Sequence, residues 1–330
     1  MDLEILKALQ DLRLSSGRFL TPFFLIISGI VTSSALYIPI AGIYWSVNKK
    51  QGTAILLSCM YGAFLNQLLK CSFCVYRPWV RDPSILPAAE ALAESGGYSF
   101  PSGHTSLAAA VFGSAAVWQK KRRWVGVMCG ILILLVMLSR VYLGVHTPQD
   151  VLAALAVTLV LIPLAYRLTD ICAVRRNADI AVAAAGVVSG VLMLLYISLK
   201  AYPADLAADG SLLVDPREMI IECYSAAGAV IALSAGWLIE RRLIRFETDG
   251  ISLRTGLCRF AAGAAGIAAL ILFVKKPLYA LLGQEAGHFA FYFTVFLYVT
   301  VIHPAVFTAA ERRFGTRLYG TGRADTRSKW

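Results

Sequence analysis

Charge is scarce in this chain, and so is histidine. Asp, Glu, Lys and Arg together make up 15% of the 330 residues, and there are four histidines. With 58% hydrophobic residues and a mean hydropathy of +0.66, the composition excludes an ordinary soluble domain. Cysteine gives no disulfide framework, because the seven present are an odd number. Only Cys71 and Cys74 form a close pair, and a zinc site needs more ligands than their neighbourhood offers. That pair stays open between a disulfide and two small residues near a helix end. Acidic residues are too sparse to form a metal-binding box, so no metal and no other cofactor is expected. A signal peptide is not evident either, since Asp2, Glu4 and Asp11 stand where a positive n-region belongs.

What the chain has in abundance is apolar length. A crossing helix needs about 20 largely apolar residues. Segments 19–47, 52–70, 125–139, 148–166, 179–199, 219–239, 260–274 and 287–310 approach or exceed this, and the shorter, alanine-rich 103–119 fits between its neighbours. The expected fold is therefore all-α, a polytopic membrane protein with nine crossings. Residues 3–14 place Leu3, Ile5, Leu6, Leu9 and Leu12 near one face, which reads as a short helix lying in the membrane interface.

The formal net charge is +11, a balance that can signal nucleic acid. Its distribution argues otherwise. Lys49-Lys50, Lys120 to Arg123, Arg175-Arg176, Arg241 to Arg259 and the tail after Arg312 fall on one side of the nine-helix count. No nucleic-acid partner is expected; the partner is the lipid bilayer. The positive-inside rule puts the N-terminus outside and the C-terminus in the cytoplasm. Lys275 and Lys276 are a local exception on the outer side.

Three polar clusters stand at helix ends: Lys70-x6-Arg77-Pro78, Pro101-Ser102-Gly103-His104, and Ser139-Arg140-x5-His146-x3-Asp150. The same count puts all three on the outer face, where they can meet. Lys70, Arg77 and Arg140 suit a phosphoryl group, the arginines as planar forks and the lysine as a point charge. Gly103 lets backbone come close, and with His104 it opens a helix whose free N–H groups favour an anion. Ser102 fits two compatible roles, N-cap and phosphate donor. Thr147-Pro148-Gln149-Asp150 is a helix start, so Asp150 reads both as a capping acid and as the group that orients His146. In the second reading His146 attacks phosphorus and His104 serves as acid and then base. The lysine and arginines supply the positive field. His288 and His303 read as structural, while Tyr76, Trp79 and Tyr142 border the site, with an interfacial aromatic belt as their default role.

These three motifs, in this order and without a departure, resemble the signature of the type 2 phosphatidic acid phosphatase (PAP2) superfamily. The resemblance covers about residues 1–200. It implies that Lys70, Arg77, Ser102, Gly103 and Arg140 bind phosphate, that His146 is the nucleophile, that His104 is the acid–base group and that Asp150 activates His146. Ser139 and Pro78 match as positioning residues. The implied organisation is a phosphatase core over 1–200 with the N-terminal interfacial helix, a three-helix extension over 201–310 and a basic cytoplasmic tail over 311–330. The nine-crossing plan is similar, in topology alone, to the glucose-6-phosphatase branch.

The expected activity is metal-independent hydrolysis of a membrane lipid phosphate or diphosphate, through a phosphohistidine, at the outer face of a bacterial plasma membrane. Phosphatidate, phosphatidylglycerol phosphate and undecaprenyl diphosphate are the candidate substrates. A phosphotransferase using an alcohol acceptor shares the same motifs, and a sugar-phosphate phosphatase shares the topology. A lipid transporter is the reading from a different class; it would need polar residues deep inside helices, of which few appear (Glu222, Ser225 and Ser234 in 219–239), and no inverted repeat is visible. Nothing in the sequence fixes the oligomeric state.

Overall fold

The computed structural model describes residues 2–32, 37–207 and 210–318. Helices dominate, and among the described residues the one β feature is an isolated bridge between Leu206 and Leu212. Helix α1 spans Asp2–Ser15, α2 Thr21–Thr32 and α3 Tyr37–Gly42, which continues as a π-turn over Ile43–Val47. The core helices follow: α4 Lys49–Phe73, short α5 Pro78–Arg81 and α6 Ala89–Leu92, then α7 Gly103–Trp118, α8 Arg123–Tyr142, α9 Pro148–Val174 and α10 Ala178–Leu199. The remainder is α11 Pro216–Ile239, α12 Leu253–Ala269, α13 Lys275–Leu297 and α14 His303–Leu318.

Their starts follow from local chemistry. Asn48 accepts from the Gln51 N–H at 2.9 Å to cap α4, and Ser252 accepts from the Thr255 N–H at 3.1 Å to cap α12. Asp215 caps α11, whose first residue is Pro216, the position where a missing N–H costs nothing.

Among the described residues, six runs are long and apolar enough to cross a membrane. The last, Leu253–Arg313, has 61 residues, about 90 Å as a straight helix and far beyond one bilayer. Its backbone breaks at Gly283, with φ 78° and ψ 179°. Beyond the break the chain turns back: Gly287 lies so close to Tyr279 that a Cβ there would fall 2.9 Å from the Tyr279 Cα. His288 stacks on Tyr279 at 4.2 Å. The two crossings expected over 260–274 and 287–310 therefore appear as arms of a helical hairpin. Two expected crossings look different. Helix α7 has 16 residues, and segment 19–47 is divided between α2 and α3 rather than forming one helix.

The outer surface of the bundle is apolar. Leu134, Leu159, Val160, Leu192 and Leu195 are all more than half exposed, as a lipid-facing surface requires. Inside, α4 and α11 carry most of the main core, with Tyr44, Trp45, Leu56, Met60, Cys223, Val230 and Leu233 buried together. The chain is an all-helical, multi-pass membrane protein. Small residues set the spacing in its C-terminal third: Gly228 of α11 meets the Phe289 backbone of α13, and a Cβ there would lie 2.5 Å from the Phe289 carbonyl oxygen.

Helix α1 turns its apolar face to protein. Leu3, Leu6 and Leu9 pack against Ile85, Ile133, Met137 and Val141. Arg13, also buried, donates to the carbonyls of Leu143 and Leu86, and Lys7 pairs with Asp82 at 2.7 Å. Tyr142 departs from the expected aromatic belt; it is buried and packs on Phe24 at 4.4 Å, because the α8 end points into the bundle. The expected tail begins as helix, since α14 runs to Leu318; residues 319–330 lie outside the described residues.

Candidate active site

Four pieces of chain deliver the three clusters to one end of the bundle. Lys70 sits in the last turn of α4, which stops when Cys74 adopts a left-handed conformation, φ 49°, and returns its N–H to the Lys70 carbonyl at 3.0 Å. The chain then runs extended to Arg77, ahead of Pro78 at the first position of α5. Ser99 N–H bonds to the Val75 carbonyl at 2.7 Å, so the loop before α7 lies against this stretch. Ser102 caps α7, and its own N–H donates to the Asp150 carbonyl at 3.0 Å, joining the starts of α7 and α9. Arg140 closes α8, and its carbonyl accepts from the N–H groups of Val145 and His146. Gly144, at φ +74°, makes the turn that brings His146 back beside it.

The centre is a histidine between a carboxylate and a guanidinium. His146 Nδ1 lies 3.3 Å from Asp150 Oδ2, and its Nε2 lies 3.0 Å from Arg77 Nη1. Arg77 can only donate, so Nε2 accepts and the ring proton belongs on Nδ1, facing the carboxylate. The same Asp150 oxygen accepts from the Thr147 N–H at 2.8 Å and the Ser99 hydroxyl at 2.6 Å. Thr147 Oγ1 accepts from the Asp150 N–H at 3.3 Å, completing a capping box. Capping and holding His146 are thus done by one carboxylate at once. His146 stands between two spanning helices, and its pKa is pushed well below the usual histidine value, first by burial and then by the Arg77 cation.

The cations surround this pair. Arg77 gives Nε to the Gly97 carbonyl at 3.2 Å, Nη2 to Gly96 at 2.8 Å and Nη1 to Val145 at 2.9 Å. Arg140 donates to Ser28 Oγ at 2.6 Å and Ser95 Oγ at 2.9 Å, while its Nε, also buried, has no hydrogen-bond partner among the described residues. Lys70, Arg77, Ser102, Arg140, His146 and Asp150 are all buried; Gly103 and His104 are part-exposed and form the open edge. His104 Nε2 lies 3.5 Å from Glu94 Oε2, close enough for an ion pair but not aligned as a hydrogen bond. Ser139 Oγ bonds to the Val136 carbonyl at 2.7 Å, within its own helix.

Several neighbours were not apparent from the motifs. Asn66 lies one helical turn before Lys70 and donates to the Pro101 carbonyl at 3.2 Å and to Ser106 Oγ at 3.1 Å. Its place at i−4 from Lys70 is the signal that marks it. Ser95, Ser99 and Glu94 come from the loop before Pro101, and Ser28 from α2; no spacing rule points to them. The C-terminal helices also reach this end. Cys71 Sγ lies 3.4 Å from Cys223 Sγ of α11, and all seven cysteines are free thiols. Of the two readings of the Cys71–Cys74 pair, the disulfide is absent: Cys74 Sγ bonds instead to the Cys71 carbonyl at 3.1 Å. A side chain on Gly96 would meet the Glu218 carboxylate, and one on Gly97, at φ +62°, would meet Met219. Helix α11 therefore backs the loop whose carbonyls hold Arg77. The two remaining histidines make packing contacts, His288 with Ser225 Oγ at 3.1 Å and His303 with the Arg259 carbonyl at 2.9 Å.

Fold and site together describe a membrane-embedded, all-helical protein with a histidine–arginine cluster at one end of its bundle. Residues 51–172 match the PAP2 superfamily, and residues 224–313 match the PAP2 superfamily phosphatase transmembrane extension. The chain is 30% identical over 166 residues to phosphatidylglycerophosphatase B of Bacillus subtilis (strain 168), an alignment covering 48% of this chain and 70% of that protein. No solved structure matches the chain. The chain belongs to the PAP2 superfamily and is a phosphoric ester hydrolase with a transmembrane extension.

Proposed function

We propose that this protein removes the terminal phosphate from a membrane lipid by a phosphohistidine route, at the extracytoplasmic face of a bacterial plasma membrane. The observation that carries the reading is His146 held between Asp150 at Nδ1 and Arg77 at Nε2. A neutral ring with its proton fixed on Nδ1 presents the Nε2 lone pair as nucleophile. When a phosphate enters past Gly103 and His104, Arg77 turns its fork from His146 to the phosphate oxygens, joined by Lys70, Arg140 Nε and the Ser102 hydroxyl. Nε2 then forms a bond to phosphorus while the bond to the leaving oxygen breaks, and His104 gives that oxygen a proton. Asp150 balances the positive charge that appears on the ring. Water next attacks the phosphohistidine, His104 takes its proton, the P–N bond breaks and inorganic phosphate leaves. The cations stabilise the transferring group, whose charge is spread over its equatorial oxygens.

Lipid is favoured as substrate by the exposed apolar side chains of Phe73 and Leu86 at this end of the bundle and by the lipid named for the Bacillus relative. Phosphatidylglycerol phosphate leads, with phosphatidate and undecaprenyl diphosphate behind it. In this reading residues 1–200 form the catalytic core and residues 201–310 an extension that supports the Gly96–Gly97 loop. The basic loops at the opposite end support a cytoplasmic position for that end, by the positive-inside rule.

The test is phosphate release by purified protein in detergent with EDTA, using these three lipids and glucose 6-phosphate, each repeated with His146→Ala. Release from a lipid that disappears in the variant is expected. Release that persists in the variant would remove His146 from the reaction. Release from glucose 6-phosphate alone would remove the lipid, and transfer seen only with an added alcohol would make the protein a phosphotransferase.

A further inference from the structure

The end of the bundle opposite the histidine cluster contains a cavity of about 600 Å³. It lies between the start of α4, the α9–α10 turn and the end of α11. Lys49 and Lys70 are 21 residues apart on α4 (70 − 49), so cavity and histidine cluster are separated by about 32 Å of helix, close to the thickness of a bilayer core. Seven Lys and Arg side chains line the cavity against four Asp and Glu.

The buried acids of this cavity are already engaged. Glu240, fully buried, is held by Lys49 Nζ at 2.7 Å and by the Phe246 N–H at 3.2 Å. Asp179, also buried, is shared by two guanidinium groups, Arg242 Nε at 2.7 Å and Arg241 Nε at 3.4 Å. Glu247 and Asp249 stay exposed at the rim. Arg175 and Arg176 are displayed on the tight turn made by Asn177 at φ 64°, and among the described residues neither pairs with a carboxylate. An excess of fixed positive charge in a concave site suits a phosphate-bearing anion. Apolar side chains stand beside it: Val174 lines the cavity and is 86% exposed, and Leu243 in the adjoining turn is 75% exposed. A soluble anion has no use for these, whereas the acyl chains of a lipid cover them.

We infer that this cavity binds the phosphate headgroup of an anionic lipid from the leaflet opposite the histidine cluster, with Arg175 and Arg176 as the ligating pair. The lipid is a bound ligand and not a substrate. A phosphodiester lipid is therefore the suitable probe, and its binding does not depend on the histidine cluster working as proposed above.

The experiment counts phosphatidylglycerol retained by the full chain in native mass spectrometry, after release from phosphatidylcholine–phosphatidylglycerol nanodiscs. Arg175→Gln with Arg176→Gln is expected to weaken retention about thirtyfold, in line with the worth of two charges at a lipid surface. Arg175→Lys with Arg176→Lys keeps the charge and restores retention, which separates loss of binding from loss of fold. Lys120→Gln with Lys121→Gln removes the same charge from a basic loop at the same end that does not line the cavity; these lysines do not touch a seated headgroup and their charge is screened, so retention stays within about twofold. Inorganic phosphate in a parallel arm separates the two sources of the group: displacement of lipid by phosphate, with phosphate itself retained, makes the ligand a free phosphate and overturns the lipid assignment. Equal losses in the two glutamine pairs, or none in the Arg175/Arg176 pair, overturn the site.

Discussion

Asp150→Asn separates the two duties of that carboxylate. In the wild-type chain Asp150 Oδ2 accepts from the Thr147 N–H at 2.8 Å, the Ser99 hydroxyl at 2.6 Å and His146 Nδ1 at 3.3 Å. An asparagine oxygen at the same place still accepts from Thr147 and Ser99, so the helix start survives and the stability loss stays near 1–2 kcal/mol. What disappears is the negative charge beside a ring that, on the proposed route, becomes cationic when phosphorus bonds to Nε2. At 3.3 Å and an effective dielectric of about 20, that charge is worth roughly 5 kcal/mol, an upper limit of between 10³ and 10⁴ in rate. The same change in a serine-protease triad costs about 10⁴ in kcat. The assay is phosphate release from phosphatidylglycerol phosphate in detergent, with thermal unfolding measured on the same preparations. Asp150→Asn should lose about 10³ in kcat with little change in Tm, and Asp150→Ala should lose both activity and the capping contribution. An Asp150→Asn protein that keeps kcat within about tenfold would refute the orienting role and leave the residue as a helix cap.

Four further outcomes follow from the same geometry. Arg77→Lys cannot satisfy the carbonyls of Gly96, Gly97 and Val145 together, so kcat/KM should fall about 10²-fold or more, read from initial rates; near-wild-type kinetics would contradict the fork assignment. The depressed pKa of His146 keeps the folded ring neutral below the usual value of 6.5, so the acid limb of kcat/KM that belongs to this proposed nucleophile lies below pH 6.5. The unfolded chain takes up a proton there that the folded chain refuses, so this group lowers stability as pH falls through 6.5, and denaturant titrations across pH 5–7 check the sign. Gly97→Ala places a side chain at φ +62° against Met219, so it should cost about 1–3 kcal/mol and lower kcat/KM through Arg77; adding Met219→Ala should recover part of both, and an unchanged double variant would remove α11 from the support of the site.

The polar residues at the helix ends were legible because so few exist. In a chain this apolar, Lys70, Arg77, Arg140, His146 and Asp150 stand out, and the crossing count alone puts them at one end. The capping box at Thr147 was legible for a different reason: its spacing is local. Ser28, Ser95 and Ser99 were not, since a serine partner is chosen by tertiary contact and carries no pattern of its own. Nor was the face that α1 presents. Its leucine spacing fits a membrane surface as well as a protein one; Leu3, Leu6 and Leu9 pack on Ile133 and Met137, while Ile5 and Leu12 of the same expected face stay exposed. Tyr142 misled because an aromatic residue at a helix end fits both the interface and the core. The division of 19–47 into two helices leaves no mark that hydropathy detects, while the reversal at Gly283 does follow from the expected loop over 275–286.

The central claim is a covalent phosphoryl group on His146, and trapping it is the most direct test. His104→Ala removes the base proposed for the second step, and p-nitrophenyl phosphate has a leaving group that needs no acid for the first. Rapid quenching of this variant in alkali, followed by peptide mass spectrometry, should find an acid-labile, base-stable phosphoryl group on the peptide carrying His146. It should be absent when His146→Ala is added. A burst of nitrophenol with the label on any other residue, or with none, would contradict the account.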